Sequence, residues 1–321
     1  MKKFLKKTLA YFVRNIVFFI LKPFKIFVVY RFGKAIGDQV CMTAIVHALK
    51  IQKDYKVIVF SNYSELFDNN KEVWKNINIY DYPLFLRKIL VFLLSLAEGG
   101  MVENFCFPKK NGKGLEDFMR NTRKKYSLIE VHSLHFREKL NTDNIKPKIY
   151  FSKSEINEFE KRFNDLNNFA IIQPVGKLNY TPNKEWGFEK YQDVIDRTKN
   201  KINWIQVGLT NETLLKNVKD FRGNTLTLRE LAFVISRANF VLSNEGLLNH
   251  LSAAVGVKSF VVFSGFSHVE LANYDTTIPI VNIPQVECSP CWLLEKCPKQ
   301  KKWCTEKITI EQVCELIMEN Q

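Results

Sequence analysis

A chain of 321 residues with 46% hydrophobic and 25% charged residues is about two domains long and able to bury a real core. Its formal net charge of +14 implies an anionic partner: nucleic acid, an acidic membrane surface or a phosphorylated substrate. Seven cysteines, an odd number with four of them late in the chain, exclude the framework of a small secreted disulfide protein and point to a reducing, cytosolic setting.

The charge begins at the N-terminus, where nine Lys or Arg and no acid precede Gly37. Residues 12–21 are apolar except for Arg14 and Asn15. The uninterrupted run, Ile16 to Leu21, is far shorter than the ~20 apolar residues of a spanning helix. A signal peptide also has a charged start and an apolar middle. Against it, Arg14 interrupts the run, no small-residue cleavage site follows, and Lys22 and Lys25 come next. Residues 1–25 therefore read as a basic amphipathic helix on an anionic membrane face. Phe4, Leu5, Leu9, Phe12, Val13 and Ile16 would point toward the acyl boundary. The alternative is a helix that packs its apolar face on the protein itself.

Ile26–Tyr30 reads as the first strand, RFGKAIGD as a loop, and Gln39–Lys50 as a helix. Strands are expected at Lys56–Phe60, Ile77–Tyr80 and Glu103–Phe107, and an apolar helix at Leu84–Ala97 ended by Gly99-Gly100. Asn111–Tyr126 is a basic helix or loop, and Asn141–Pro147 approaches a linker. A charged helix, Ser152–Leu166, opens with Ser152 and Glu155 at capping-box spacing. A second alternation follows: strand at Phe169–Pro174, helix at Lys190–Thr198, strand at Asn203–Val207 and helix at Glu212–Lys219. It continues with helix Thr227–Ala238, strand Phe240–Ser243, turn Asn244-Glu245-Gly246, helix Leu247–Val255 and strand Ser259–Ser264. Two such runs predict an α/β chain of two Rossmann-like domains facing a cleft, residues 26–150 and 151–321. Ligands in such sheets bind beyond the carboxyl ends of the strands.

Several residues at those ends carry chemistry. Asp38 follows a strand and a glycine, and reads either as a helix N-cap or as a general base. Arg31 and Lys34 flank it and would steer an anionic substrate. Lys184 is placed to reach a diphosphate as a point charge, or is a solvated loop lysine. Glu212 would accept ribose hydroxyls, or favour a helix's first turn. The strand–turn–helix at Glu245 and Gly246 leaves free N–H groups and a positive dipole end suited to a phosphate. Leu247 opens that helix, and His250 lies within reach of an attached sugar or nucleotide. Cys288, Cys291, Cys297 and Cys304 form C-x2-C-x5-C-x6-C, a candidate structural zinc or iron site or a set of unliganded thiols. The chain has no G-x-G-x-x-G, Walker lysine or H-E-x-x-H motif, so nicotinamide, ATPase and zincin chemistry have no support.

With these residues in view, the chain resembles glycosyltransferase family 9, the ADP-heptose:lipopolysaccharide heptosyltransferases of GT-B fold. RFGKAIGDQVCMTAIVHALK is similar to that family's N-terminal Arg…Gly-Asp motif and following helix. QPVGKLNYTPNKEWGFEKY is similar to its Lys-x-Trp loop, VGLTNE to its Gly-x-x-x-Glu, and SNEGLLNHLSAAVGV to its S-N-D-T-G-x-x-H motif. The cysteine-rich tail also resembles a C-terminal pattern of members, and the likeness spans about residues 26–316. The resemblance implies Asp38 as catalytic base and a Lys34 that suits an acidic or phosphorylated acceptor, with Arg31 placed beside them by position alone. It implies Lys184, Glu212, Glu245, Gly246, Leu247 and His250 on the donor, and no cofactor for catalysis. The implied partners are a nucleotide-sugar donor, an anionic lipid-linked glycan acceptor and the inner face of the inner membrane, with no nucleic acid. Two departures stand out: the family's Asp is Glu245, and its Thr-Gly is Gly246-Leu247. They keep a sugar other than heptose, or a silent sugar-nucleotide-binding relative, in play. The net charge and the cysteines keep a nucleic-acid-binding protein as a more distant rival.

Overall fold

The computed structural model describes residues 2–109, 114–176, 180–223 and 226–320, with side chains from residue 7 onward. The chain divides into two compact units: residues 1–108 with 128–151, and residues 109–127 with 152–321.

The first unit opens with helix α1 (Lys2–Leu21) and is built on a parallel sheet of order β3-β2-β1-β4. Its strands are β1 (Ile26–Arg31), β2 (Lys56–Ser61), β3 (Val73–Asn78) and β4 (Val102–Asn104). Helices α2 (Ile36–Lys53) and α3 (Leu84–Ala97) connect them, since parallel neighbours need a crossover. Side chains alternate across the sheet. Val28, Tyr30 and Val102 face a cluster shared with Val13, Val17 and Leu21 of α1 and Leu94 and Ala97 of α3. Phe27, the alternate position, stacks instead on Tyr55 and Phe136, with ring centroids 5.3 and 6.3 Å away. Helix α2 is buried from Gln39 through Val46, which fits a helix covered by strands on one side and chain on the other.

The second unit carries α4 (Leu115–Asn121), whereas α5 (Leu128–Ser133) belongs to the first. Its six-stranded parallel sheet has the order β10-β9-β8-β5-β6-β7. The strands are β5 (Phe169–Gln173), β6 (Asn203–Gly208), β7 (Val218–Arg222), β8 (Val241–Asn244), β9 (Ser259–Phe263) and β10 (Thr277–Val281). Around it lie α6 (Lys153–Arg162), α7 (Phe188–Thr198), α8 (Leu228–Arg237), α9 (Leu247–Val255), α10 (Trp303–Glu306) and α11 (Ile310–Glu319). Ile172, Leu242, Phe260 and Val262 pack with Tyr191 and Ile195 of α7 and with Val313 and Ile317 of α11. Helices α6 and α8 both begin with capping boxes, Ser152 with Glu155 and Thr227 with Glu230. Each capping acid is also held by an arginine of the other helix: Arg229 on Glu155 and Arg162 on Glu230.

Several expected elements need correction. Glu212–Lys219 is not a helix. Gln206 accepts from Leu215 N at 2.7 Å and donates to Thr213 O at 2.9 Å, and Asn217 takes φ 62°, so the segment is pinned open and runs into β7. The third strand ends at Asn78, where that side chain accepts from Tyr80 N and starts a single 3-10 turn. Helix α2 begins two residues before Asp38, which therefore sits in its first turn, not at its N-cap. Val13 of α1 packs inward, not toward an acyl boundary; Phe4 and Leu5 lie outside the described side chains. No helix among the described residues is long and apolar enough to cross a membrane.

Candidate active site

In each sheet the strand order reverses at one place, and loops on either side of such a switch point form the crevice where ligands settle. The first sheet reverses between β1 and β4, the second between β8 and β5. Each place holds a charged pair.

At the end of β1, Arg31 donates from Nη1 to Phe105 O, just beyond β4, at 2.7 Å. Its Nη2 donates to Asp38 Oδ2. The guanidinium thus bridges the switch point and holds the aspartate, with both side chains still partly exposed at 11% and 20%. Asp38 also lies in the first turn of α2, whose N-cap Ala35 offers no side-chain acceptor, so the helix's positive end adds to its anchorage. The intervening loop is tied down from the side. Asn62 accepts from Gly33 N at 3.2 Å and donates to Gly33 O at 3.0 Å, and Gln39 donates to Asn62 at 2.6 Å. Lys34 is exposed on this loop.

At the second switch point Lys184 donates to Glu245 Oε1 at 2.7 Å, and Ser267 donates to Oε2 at 2.7 Å. Burial works against the charge on Glu245. Lys184 by charge and hydrogen bond, then Ser267 and His250, outweigh it and hold the carboxyl below its ordinary value. Lys184 is further caged by the rings of Tyr180 and Phe266, 5.3 and 5.2 Å from its Nζ. An ammonium has three N–H donors, so Glu245 and the two rings orient Lys184 without exhausting it. Beside this pair, Gly246 leads in extended backbone into α9, whose first turn has no side-chain cap. Leu247 opens the helix, and His250 Nδ1 lies 2.7 Å from Tyr274 OH.

Glu212 follows β6 on the same carboxyl edge. Its Oε1 accepts from Leu209 N at 2.9 Å, while Oε2 is buried and has no partner among the described residues. Burial first, then Glu185, raises its carboxyl above the ordinary value, against Leu209 and Arg222. A Cβ on Gly208 would meet Oε2 at 2.1 Å, so this strand end must be glycine for the carboxylate to curl back over it. A buried lone acceptor suits a ligand hydroxyl.

Two asparagines, Asn183, which the sequence reading passed over, and Asn244, which it gave only as a turn residue, build the second half of this arrangement. Asn244 accepts from Tyr191 OH at 2.9 Å and Trp186 N at 3.3 Å, and donates to Pro174 O at 3.0 Å. It thereby locks the loop that carries Lys184 to the end of β8. Asn183 donates to Leu293 O and Glu295 O at 2.7 and 2.6 Å and accepts from Cys297 N at 3.1 Å. The cysteine-rich segment is therefore a strut under the Lys184 loop. Only polar identity at the right distance in space marks such residues, and a linear pattern does not carry that signal.

Cys288, Cys291, Cys297 and Cys304 are free thiols. Among the described residues no three His, Cys, Asp or Glu side chains are arranged to hold a metal ion. The thiols are nonetheless neighbours: burial first, and then Cys288 and Cys297, push Cys291 up, and Cys304 feels all three others in addition to its own burial. Gly265 lets Cys304 close in, since a Cβ there would lie 2.8 Å from that of Cys304. The donor chemistry suits zinc or iron, but the thiols do not close around a common point.

The model of glycosyltransferase family 9 (heptosyltransferase) matches residues 123–302. No curated protein matches the chain by sequence. Among solved structures, a family 9 glycosyltransferase from Veillonella parvula superposes with a TM-score of 0.62 at 14% identity, covering 91% of this chain and 96% of that one. The E. coli ADP-heptose LPS heptosyltransferase II gives 0.63 at 12% identity over 91% and 98%. The iron-containing dodecameric glycosyltransferase TibC of enterotoxigenic E. coli gives 0.61 at 13% identity over 91% and 75%. Two parallel α/β units, each with its charged pair at the sheet reversal, and a family match over more than half the chain lead to one assignment: this chain is a glycosyltransferase of GT-B type and belongs to glycosyltransferase family 9.

Proposed function

We propose that this enzyme transfers a heptose, with inversion, from ADP-heptose to the core of a lipopolysaccharide or lipooligosaccharide. The observation that carries the donor half is the Lys184–Glu245 pair beside the uncapped start of α9, with Glu212 Oε2, unpartnered among the described residues, on the same sheet edge. Lys184 and the helix start neutralise the diphosphate, Glu212 accepts a ribose hydroxyl, and His250 and Leu247 line the sugar side. Glu245 acts through Lys184, holding its ammonium over the phosphates.

In the reaction, Asp38 Oδ1 takes the proton of an acceptor hydroxyl while Arg31 keeps Oδ2 in place. The acceptor oxygen forms its bond to the anomeric carbon as the bond from that carbon to the diphosphate oxygen breaks. The electron pair leaves on the nucleoside diphosphate, where Lys184 and the α9 N–H groups meet it. Lys34 and Arg31 favour an anionic acceptor. The first unit, residues 1–108 with 128–151, then serves the acceptor, and the second, residues 109–127 with 152–321, the donor, in place of a single division at residue 150. The basic helix of residues 1–25 keeps the enzyme at the cytoplasmic face of the inner membrane, where a lipid-linked acceptor lies. Cys288, Cys291, Cys297 and Cys304 carry the donor chemistry of a structural iron or zinc site but would have to draw together to share one ion; TibC, a structural relative, is iron-containing.

The test is transfer itself: the enzyme is incubated with ADP-heptose and heptose-deficient lipopolysaccharide, and the acceptor is weighed by mass spectrometry. A mass gain of one heptose, with the anomeric configuration inverted, is expected. Tight donor binding with no transfer to any acceptor would mark a silent relative and overturn the proposal.

A further inference from the structure

Helices α1 and α3 lie over the same face of the first unit's sheet, where Val13, Val17 and Leu21 meet Leu94 and Ala97 above Val28, Tyr30 and Val102. Each helix therefore turns its opposite side away from the sheet. A helix between a core and water carries polar residues on that outer side. These two do not. Phe12, Ile16 and Phe19 of α1 are 59%, 58% and 74% exposed, and Phe85, Ile89 and Phe92 of α3 are 62%, 49% and 46% exposed. In both helices the spacing is i, i+4, i+7, a single outward stripe. Apolar patches of this kind mark a protein or membrane contact.

Charge decides between the two occupants. Neither helix contains Asp or Glu. Lys7, Lys22, Lys25 and Lys88 are exposed around the stripes. Lys22 sits 4.8 Å over the Phe18 ring and Arg87 5.0 Å over Tyr80, so the cations stay at the apolar margin. Two copies of a face edged by cations repel each other, whereas anionic headgroups attract it. An apolar stripe flanked by lysines and aromatics is the pattern of a helix lying in the interface plane. Neither helix is long and apolar enough to span.

We infer that α1 and α3 together form a two-helix docking surface for an anionic bilayer, with α3 supplying as much of the inserted face as the N-terminal helix does. This rests for its purpose on the lipid-linked acceptor proposed above, but lipid binding is measured without any sugar transfer. The full chain is floated with vesicles containing phosphatidylglycerol and, separately, with phosphatidylcholine alone. Two double variants are compared, Phe12→Ser with Phe19→Ser and Phe85→Ser with Phe92→Ser. All four side chains are exposed, and an unaltered melting temperature confirms folding. Wild type is expected to float with the anionic vesicles only, and each double variant to lose at least about tenfold in partitioning. Flotation of the α3 variant equal to wild type overturns the inference. So does a wild type that ignores vesicles but runs as an assembly broken by the same substitutions, which would make the face a contact between copies. A melting-temperature rise with ADP-heptose, read in the same samples before vesicles are added, reports on the transferase reading independently.

Discussion

At the end of β1 an arginine holds an aspartate in place; at the end of β8 a glutamate holds a lysine. The two pairs occupy equivalent positions, at the reversal of strand order in their sheets, yet their roles are inverted. In the proposed mechanism the first unit's acid is the working group and the cation its support, and the acid stands in the first turn of a helix. In the second the proposal gives the work to the cation, and the acid, 7% exposed against 18% for the lysine, is the more buried partner. On that proposal the same fold element serves proton removal or phosphate neutralisation according to which partner is the more exposed.

The comparison breaks first at Asp38. Asp38→Asn keeps the shape and the Arg31 contact but removes the base, so turnover should fall about a thousandfold while ADP-heptose binding is unchanged. Equal turnover would return Asp38 to a structural role. At the other pair, Lys184→Met leaves Glu245 buried with Ser267 as its remaining direct partner. Thermal or denaturant unfolding should show a loss of about 2–4 kcal/mol, largely recovered when Glu245→Gln is added. A double variant no more stable than the single one would separate Glu245 from Lys184.

Buried acids sharpen the contrast. Glu103 on β4 is fully buried, accepts from Arg137 N at 3.0 Å and leaves Oε2 without a partner among the described residues. Desolvation, with Glu98 adding to it, outweighs the Arg137 N–H, Arg14 and Lys139 and pushes its carboxyl from 4.5 up to about 7. Between those two values the unfolded chain gives up this proton while the folded chain keeps it, so stability falls as pH rises through the window and levels off above it. Glu103→Gln should therefore gain on wild type by about 2–3 kcal/mol between pH ~4 and pH ~8. Glu245 behaves oppositely: its stabilising contribution is present above the ordinary carboxyl value and is lost as pH falls through its lower folded value. The smallest effect is expected at Glu212→Gln, a threefold to tenfold loss of donor affinity, since an amide still accepts a hydroxyl proton but carries no charge (about 1 kcal/mol).

What the sequence made legible followed locality. The turn at Glu245, the helix after it and the Ser152–Glu155 box are all contained within a few residues, and periodicity and capping chemistry reveal them. Position after a strand was enough to single out Arg31 and Asp38, though not that they pair, because β4 had to be placed beside β1 first. Glu212 was picked out while its helix was misread, since the clamp from Gln206 lies in a neighbouring strand. Asn183 and the anchoring role of Asn244 were invisible for the same reason, their side-chain partners lying 53 to 114 residues away. In α1, apolar residues surround much of the helix, so spacing alone did not separate Val13, which meets the core, from Phe12, which does not.

The most direct test is calorimetric titration of ADP-heptose into wild type and Lys184→Met. Lys184 beneath the diphosphate requires saturable binding to wild type and affinity at least about tenfold weaker in the variant. Equal affinity in the two proteins, or no binding to wild type, would contradict it.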